Sequence, residues 1–425
     1  MMVRKLLFLL FPATFFAQGY TSYFTGNLAN ITTTPEYGVC MMGGATEHDN
    51  AMIWLLQKAN GGDVVVLRSS GSDGYNDYLY SELGVNVNSV ETLVITSVAG
   101  ATNPYVLDKV SKAELIWFAG GDQWNYVSYF KDNALEDLIN DHINVKQAPI
   151  GGTSAGMAIL GGTYFSAQNG SVTSAEALSN PYNPYMTFGH NDFVNVPMMQ
   201  NTITDTHYDD PDRRGRHSAF LARLKTDYGE NFNGIACNEY VAVCIDAAGK
   251  ARVYGDYPNY EEFAYFLQSN CQNTTAVEVC EPNSPLTWNY GAQAIKAYKV
   301  PGTMTGVNYF NVSDWDSANI FGGSWENWSV ASGVLNMVSG SAPDCSLASD
   351  EFQQKRITVS PNPFRDFIRL ENAENANVKM YDLMGKLVLE TVSFGEVDAS
   401  NLHSGIYLIK IEIGKTLYSK KLVKI

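Results

Sequence analysis

The sequence predicts an α/β fold, a parallel sheet flanked by helices, followed by a small C-terminal all-β sandwich domain. Two observations lead to this prediction. From Tyr37 to Ile159, short apolar strands alternate with helical stretches. After about residue 350, short alternating strands are separated by Asn, Gly and Pro turns. The charge changes there too: residues 351–425 hold 11 Lys/Arg against 9 Asp/Glu, whereas the whole chain has a net charge of −16.

Composition limits the classes of function. The chain has 425 residues, 45% hydrophobic and 17% charged, which is enough apolar sequence for a large folded core. Nucleic acid is not an expected partner, because phosphate binding needs clustered Lys and Arg and the net charge is −16. No Cys or His spacing fits a zinc site, and we expect no cofactor. The sequence leaves the oligomeric state open, with a homodimer as one option.

The first residues have the pattern of an export signal. Arg4 and Lys5 precede an apolar run, LLFLLFPATFF, that is too short to span a bilayer and is followed by small residues suited to cleavage. We therefore predict a signal peptide over residues 1–18 and export through the periplasm. Disulfides form in such an oxidising compartment, and Cys271 and Cys280, which bracket a polar loop, are the predicted pair.

The predicted strands and helices of the first region follow one another in order. The strand patterns are YGVCMM, DVVVL, TLVIT, AELIWFAGG and QAPIGG. The helical patterns are HDNAMIWLLQKANGG, which ends at two glycines, and NALEDLINDHI. Runs of β-branched residues such as DVVVL are typical of strands buried on both faces of a parallel sheet.

Glycines and small polar residues follow four of these strands. The turns are Gly43-Gly44, Ser69-Ser70-Gly71-Ser72, Gly120-Gly121-Asp122-Gln123 and Gly152-Thr153-Ser154. The carboxyl ends of parallel strands share one edge of the sheet, and ligands bind at that edge. Four such turns in succession therefore predict a site there.

The stretch GGTSAG contains a candidate nucleophile, Ser154, between a strand and a helix. A serine hydroxyl becomes nucleophilic when a base takes its proton, and the base needs an orienting acid. A tight turn exposes the serine oxygen and leaves the next backbone N–H, that of Ala155, free to bind an oxyanion. Gly152 and Gly156 supply the small residues that such a crowded turn requires.

The candidate base is His207, which follows the strand-like NTIT and precedes an Arg-rich helix start. Three acids are placed to orient it, Glu176, Asp205 and Glu239, and spacing alone does not separate them. A cluster of arginines follows in this acidic region, at positions 213, 214 and 216. Because Arg binds carboxylates bidentately, this cluster indicates an anionic group on the substrate.

Four motifs together resemble cyanophycinase and its relative aspartyl dipeptidase (peptidase E). They are FAGGDQ, GGTSAGMAIL, TDTHY followed by RGRHSAFLARL, and GIACNEYVAV, and the resemblance spans roughly Tyr37 to Leu335. It implies a fold like that of class I glutamine amidotransferases. It also implies a serine peptidase that cleaves peptide bonds next to aspartate, with peptides or the aspartate–arginine polymer cyanophycin as substrates.

The resemblance also implies roles for individual residues. Ser154 is the nucleophile, His207 the general base, and Glu176 the acid because it falls between them, with Glu239 as the alternative. The oxyanion is held by backbone N–H groups of Ala155 and of Gly43 or Gly44. The substrate-binding positions are Asp122, Gln123, Asp205, Arg214 and Arg216. Ala219 replaces the third arginine of the family's Arg-x-Arg-x-x-Arg motif, and DDPD lengthens the loop after His207.

The C-terminal region resembles the sorting domain of proteins exported by the type IX secretion system, through SPNPF, VKMYDLMGKLV and GIYLIKI. This resemblance implies the secretion machinery as a partner and a secreted or cell-surface location. The predicted domains are a catalytic domain over 19–340, a linker over 341–356 and the sorting domain over 357–425.

Two other functions fit parts of the sequence. One is an α/β-hydrolase esterase, which also uses Gly-x-Ser-x-Gly and the order serine, acid, histidine. In that fold the histidine comes late in the domain, whereas after His207 this region has only His217. The other is a catalytically silent surface binding protein that keeps the fold.

Overall fold

The computed structural model describes residues 19–272, 276–315, 318–344, 358–371, 376–382, 385–413 and 416–425. The chain divides into two compact units, the first ending at Pro343 and the second beginning at Asp344. The predicted signal peptide and most of the predicted linker lie outside the described residues, and both stay predictions. No helix in the described ranges is long and apolar enough to cross a membrane.

The secondary structure of the first unit begins with a strand and then alternates. Its strands are β1 (Tyr20–Gly26), β2 (Gly38–Met42), β3 (Asp63–Arg68), β4 (Ser89–Ile95), β5 (Leu115–Phe118), β6 (Ile150–Thr153), β7 (Thr163–Phe165), β8 (Phe188–His190), β9 (Thr202–Asp205), β10 (Asn233–Cys237), β11 (Ala242–Asp246), β12 (Lys250–Tyr254), β13 (Phe263–Ser269), β14 (Ile295–Pro301), β15 (Tyr309–Asn311), β16 (Ser324–Ala331) and β17 (Val334–Ser339). Its α-helices are α1 (Asp49–Lys58), α2 (Val98–Ala101), α3 (Pro104–Lys112), α4 (Gln123–Phe130), α5 (Ala134–Asn144), α6 (Ala155–Ala158), α7 (Ser174–Ser179) and α8 (Arg214–Tyr228), and a π-helical turn covers Tyr78–Glu82.

The first sheet has the order β1-β4-β3-β5-β6-β2-β11-β12-β15. Its centre, from β4 to β2, is parallel, and these are the five strands that the sequence predicts. Both edges are antiparallel, because β1 pairs with β4, and β11, β12 and β15 continue the sheet beyond β2. The predicted α/β class is confirmed, and the sheet is mixed where the sequence predicts a parallel one.

Strand β3, which lies between β4 and β5, shows why a continuous apolar run is needed here. Val65 and Leu67 pack in the same core cluster as residues of α3 and α5. Val64 and Val66 pack with residues of α1 on the opposite face. Successive side chains of a strand point to opposite faces, so a strand covered by helices on both sides must be apolar at every position.

A second sheet, which the sequence pattern does not predict, has the order β17-β16-β14-β13-β10-β9-β7-β8. It shares the largest core cluster with the first sheet, through residues such as Ile235 of β10 and Phe266 of β13. Strands β9 and β10 are parallel neighbours. The segments that follow them therefore leave the sheet at the same edge, and this brings residues near 207 and 239 together.

The C-terminal unit is all-β, as predicted. Its strands are β18 (Thr358–Ser360), β19 (Phe367–Glu371), β20 (Ala376–Tyr381), β21 (Leu387–Ser393), β22 (Glu396–Asp398), β23 (Gly405–Ile413) and β24 (Thr416–Lys424). They form two sheets, β18-β19-β22 and β21-β20-β23-β24. One core joins both sheets, with Phe364 and Ile368 packed among residues of β20 and β23.

The predicted disulfide between Cys271 and Cys280 is wrong. Cys271 is disulfide-bonded, but Cys280 is a free thiol. Closeness along the chain suggested the pair. Tertiary packing instead places Cys280 beside Thr226 and Arg223 of α8, where burial raises the pKa of its thiol.

Candidate active site

Ser154 lies at a sharp turn between β6 and α6, as predicted. Its backbone has φ +52° and ψ −115°, a strained conformation that non-glycine residues rarely adopt and that costs about 1–3 kcal/mol. The Ser154 N–H donates to Met42 O at 3.0 Å, which ties the turn to β2. A Cβ on Gly152 would lie 2.5 Å from the Gly156 carbonyl carbon, and one on Gly156 would lie 2.3 Å from Phe118 O. The glycines on either side of the serine are therefore a packing requirement.

His207 follows β9 and lies next to the serine, as predicted. Its Nε2 is 2.8 Å from Ser154 Oγ. The His207 backbone also has a positive φ, +46°, and its N–H donates to Gly43 O at 2.7 Å. The next residue, Gly44, passes against the imidazole, because a Cβ there would lie 2.3 Å from ring atoms of His207. The Gly43-Gly44 turn therefore fixes the position of His207, through the hydrogen bond to Gly43 and the packing of Gly44 against the ring.

Glu239 follows β10 and completes the chain of hydrogen bonds. Its Oε1 is 2.5 Å from His207 Nδ1. The Glu239 backbone N–H donates to the carboxylate of Asp209 at 2.9 Å, and the N–H of Tyr240 donates to Gly44 O at 3.1 Å. The acid and the base are thus held by the same turn and by a loop that follows the base.

The prediction that Glu176 is the orienting acid is wrong in this structure. Glu176 lies in the exposed first turn of α7, where its carboxylate accepts from the backbone N–H and the hydroxyl of Thr173. These two bonds lower the pKa of Glu176. The Glu176 N–H in turn donates to Thr173 Oγ, and this bond and the one from the Thr173 N–H together form a capping box. The order of residues along the chain favoured Glu176, but the pairing of β9 with β10 delivers Glu239 to His207.

A pocket of about 320 Å³ opens at Ser154. Its lining includes four predicted substrate-binding residues, Asp122, Gln123, Asp205 and Arg216, together with Ser154, Ala155 and His207. Asp122 caps α4 by accepting from Trp124 N–H. The side chain of Gln123 contacts Phe165 O at 3.4 Å.

The second predicted oxyanion donor is not where the sequence placed it. The Gly43 N–H already donates to Val241 O at 2.9 Å, and neither Gly43 nor Gly44 lines the pocket. Gly121 lines it instead, with φ +139°, and a Cβ on Gly120 would lie 3.5 Å from Ser154 Cβ. In the described part of the chain, the N–H groups of Gly121 and Ala155 have no protein acceptor. The sequence shows this turn to be Gly-rich but does not predict this role for it.

Arg216 and Asp205 form a buried ion pair in the pocket wall. Arg216 Nη2 and Nε donate to the two Asp205 oxygens at 2.5 and 2.9 Å. Arg216 Nη1 donates to Ser171 Oγ and Val172 O. Burial raises the pKa of Asp205, but the Arg216 charge outweighs it and the pKa is lowered. The Arg216 charge is therefore neutralised within the protein.

Arg213 lies in the main pocket, where the sequence predicts Arg214. Arg214 is held bidentately by Asp212, at 2.7 and 2.9 Å, and faces a smaller, separate pocket, so its prediction as a lining residue of the main pocket is wrong. Arg213 lines the main pocket. Its Nη1 donates to Thr206 O at 3.0 Å, but its buried Nε has no acceptor. Burial, and then the Arg216 charge, lower the pKa of Arg213. Arg213 is thus a cation in the pocket with unused hydrogen-bonding capacity.

The described residues contain no group of three His, Cys, Asp or Glu side chains arranged to hold a metal ion. The arrangement around Ser154 has a hydroxyl, an imidazole and a carboxylate in series, with two free backbone N–H groups and a cation beside them. Chemically, this suits nucleophilic attack on a carbonyl carbon.

Comparison with known proteins gives two family matches. Residues 73–250 match the family described as Peptidase family S51, and residues 358–425 match the Secretion system C-terminal sorting domain. No curated protein matches the chain.

Solved structures that are similar to parts of the chain include the following three. A peptidase from an acI-B1 Actinobacterium is 14% identical, over 52% of this chain and 89% of that one, with a TM-score of 0.39. A putative peptidase E protein from Listeria monocytogenes EGD-e is 14% identical, over 50% and 95%, with a TM-score of 0.33. PorZ, a surface component of the type IX secretion system of Porphyromonas gingivalis, is 14% identical, over 43% and 29%, with a TM-score of 0.16.

Proposed function

We propose that this protein, whose residues 73–250 belong to peptidase family S51, is a serine peptidase that cleaves bonds next to an acidic residue by way of an acyl-enzyme. The family match makes it an enzyme of the peptidase class. The C-terminal sorting domain directs it through the type IX system to the cell surface or the medium. Two contacts support the serine mechanism: Ser154 Oγ lies 2.8 Å from His207 Nε2, and His207 Nδ1 lies 2.5 Å from Glu239 Oε1.

In the proposed reaction, Ser154 Oγ attacks the substrate carbonyl carbon while His207 Nε2 takes the hydroxyl proton. The charge on the carbonyl oxygen is stabilised by the free N–H groups of Ala155 and Gly121. Glu239 holds the imidazole by Nδ1 and stabilises its positive charge. His207 then gives the proton to the leaving amine, and water releases the acyl group by the same steps in reverse.

We assign recognition of the acidic group to Arg213. Its unsatisfied Nε and its place in the pocket wall suit a carboxylate, because leaving a buried donor without a partner costs about 1–3 kcal/mol. Arg216 is less suited, since Asp205 already occupies two of its donors. Aspartyl peptides, including β-aspartyl-arginine units of a cyanophycin-like polymer, carry the required carboxylate beside the scissile bond.

The first experiment compares substrates. The purified protein and its Ser154→Ala variant are incubated with cyanophycin, α- and β-aspartyl dipeptides, matching alanyl dipeptides and p-nitrophenyl esters. We expect Ser154-dependent cleavage of the aspartyl peptides and little of the alanyl ones. Turnover of esters alone would identify an esterase and overturn the proposal. An absence of any Ser154-dependent turnover would identify a catalytically silent binding protein.

The second experiment tests the acidic subsite with a matched pair of arginines. Arg213→Met should raise KM for aspartyl peptides, with kcat/KM falling roughly 10- to 100-fold, as expected for one lost charged hydrogen bond. Arg214→Met, one residue away on a separate pocket, should leave KM close to that of the wild type. If Arg214→Met has the larger effect, Arg213 is not the recognition residue.

A further inference from the structure

Two cysteines outside the active site lie opposite each other in the first sheet. Cys40 of β2 and Cys244 of β11 are direct partners in the antiparallel pairing. Their sulfur atoms are 3.6 Å apart, both are free thiols in this structure, and both residues are fully buried. The mechanism proposed above uses neither thiol.

The position of this pair within the ladder suits a covalent bond. In an antiparallel pair, hydrogen-bonded and non-hydrogen-bonded partners alternate. Gly43 N–H donates to Val241 O at 2.9 Å, so these partners form a hydrogen-bonded pair. Cys40 and Cys244 lie three positions further along and are therefore a non-hydrogen-bonded pair. Such partners have Cα atoms about 4.5 Å apart, within the range of about 4.4–6.8 Å that disulfides need.

The two strands that carry these cysteines lead directly into the active site. β2 continues into the Gly43-Gly44 turn, whose carbonyls accept the N–H groups of His207 and Tyr240. β11 begins three residues after Glu239. A covalent link between β2 and β11 would therefore fix the scaffold that holds the base against the acid.

We propose that Cys40 and Cys244 form a cross-strand disulfide when the exported chain folds. The location follows from the sorting domain, and exported proteins fold where thiols are oxidised. The oxidant is a disulfide, either of a protein thiol oxidase or of a small molecule. One cysteine thiolate attacks it to give a mixed disulfide and one free thiol. The second cysteine then displaces the remaining sulfur, so the oxidant is reduced to two thiols and one new S–S bond joins the strands.

The timing follows from burial. In the folded protein, burial raises the pKa of the Cys244 thiol well above its usual value, and the thiolate is the reactive form. The exchange must therefore precede the closing of the core. Among the described cysteines, Cys237 also interacts with Cys40, but it lies on β10 in the second sheet, and its sulfur lies 3.9 Å from Met41 O.

The direct test is to identify the bond in the wild-type chain. Full-length protein is recovered from an exporting host and unfolded in N-ethylmaleimide without reductant. The digest is then analysed by mass spectrometry, and protein made in a reducing cytosol is treated identically. We expect a Cys40–Cys244 linked peptide in the exported protein and two alkylated cysteines in the cytosolic one. Alkylation of both cysteines in the exported protein, or a bond from either to Cys237, would overturn the proposal.

A second measurement needs no assignment of peptides. Wild type and Cys244→Ala are each refolded with and without a phosphine reductant, and the melting temperature of every preparation is measured. The quantity compared is the loss of melting temperature that the reductant causes in each protein. The disulfide of Cys271 is present in both proteins, so the difference between the two losses reports the Cys40–Cys244 bond. We expect a larger loss in wild type, and equal losses would contradict the proposal.

Discussion

Replacing Glu239 with glutamine is the sharpest test of the acid in the catalytic series. The substitution keeps the size of the side chain and an oxygen that accepts from His207 Nδ1, but it removes the negative charge. The charge matters when His207 has taken the serine proton, because an imidazolium then lies against Glu239. The expected effect is therefore on kcat, with KM little changed.

The magnitude follows from the geometry. Nδ1 and Oε1 are 2.5 Å apart, which places the centres of the two charges about 4 Å apart. At an effective dielectric of about 20, such charges attract by about 4 kcal/mol. The side chains are 24% and 25% exposed, so solvent screening reduces this to about 3 kcal/mol. Each 1.36 kcal/mol is a factor of ten in rate, so kcat should fall roughly 10²-fold.

The assay is steady-state hydrolysis of an aspartyl peptide that the wild-type protein cleaves, with melting temperature measured on the same preparations. Glu176→Gln is the matched control, because it is the same chemical change in the acid that the sequence favoured. It should leave kcat unchanged and lower the melting temperature slightly, since the capping box of α7 is weakened. A folded Glu176→Gln variant that loses as much activity as Glu239→Gln would refute the assignment, as would full activity in Glu239→Gln.

Two further predictions concern how the site is held, and a third concerns stability at acidic pH. Asp209→Ala removes the acceptor of the Glu239 N–H and should lower kcat about tenfold. Asp209→Asn keeps an acceptor and should lower kcat less. Peptide hydrolysis assays of the two variants measure the difference. Gly156→Ala places a Cβ against Phe118 O and should lower the free energy of unfolding by about 1–3 kcal/mol. A urea midpoint of the variant equal to that of the wild type would contradict this. Burial lowers the pKa of His217 to about 4. Between about pH 6.5 and pH 4, the unfolded chain therefore protonates this histidine while the folded chain keeps it neutral. His217 by itself should lower the free energy of unfolding by up to about 3 kcal/mol over that range. A His217→Gln variant should show a flatter urea midpoint across that range.

The sequence by itself predicted the centre of the fold. Strands such as β3 carry an unbroken apolar run because helices cover both faces. This requirement affects consecutive residues, so the sequence shows it directly. The turn around Ser154 was predictable for the same reason, since the crowding that demands Gly152 and Gly156 is local. The Gly-rich turns also indicated the functional edge, because parallel strands must end on one side.

Tertiary structure alone decided which partners meet at that edge. Glu239 and Glu176 are both acids at plausible spacing, and only the parallel pairing of β9 with β10 delivers Glu239 to His207. Arg213 and Arg214 are chemically identical neighbours. The conformation of the loop before α8 places Arg213 in the pocket wall and places Arg214 against Asp212. These choices depend on strand order and backbone direction between segments 30 residues or more apart, or on a single turn of a loop. Residue type and spacing along the chain do not contain the strand order or the backbone direction, because these are set only when the sheets pack.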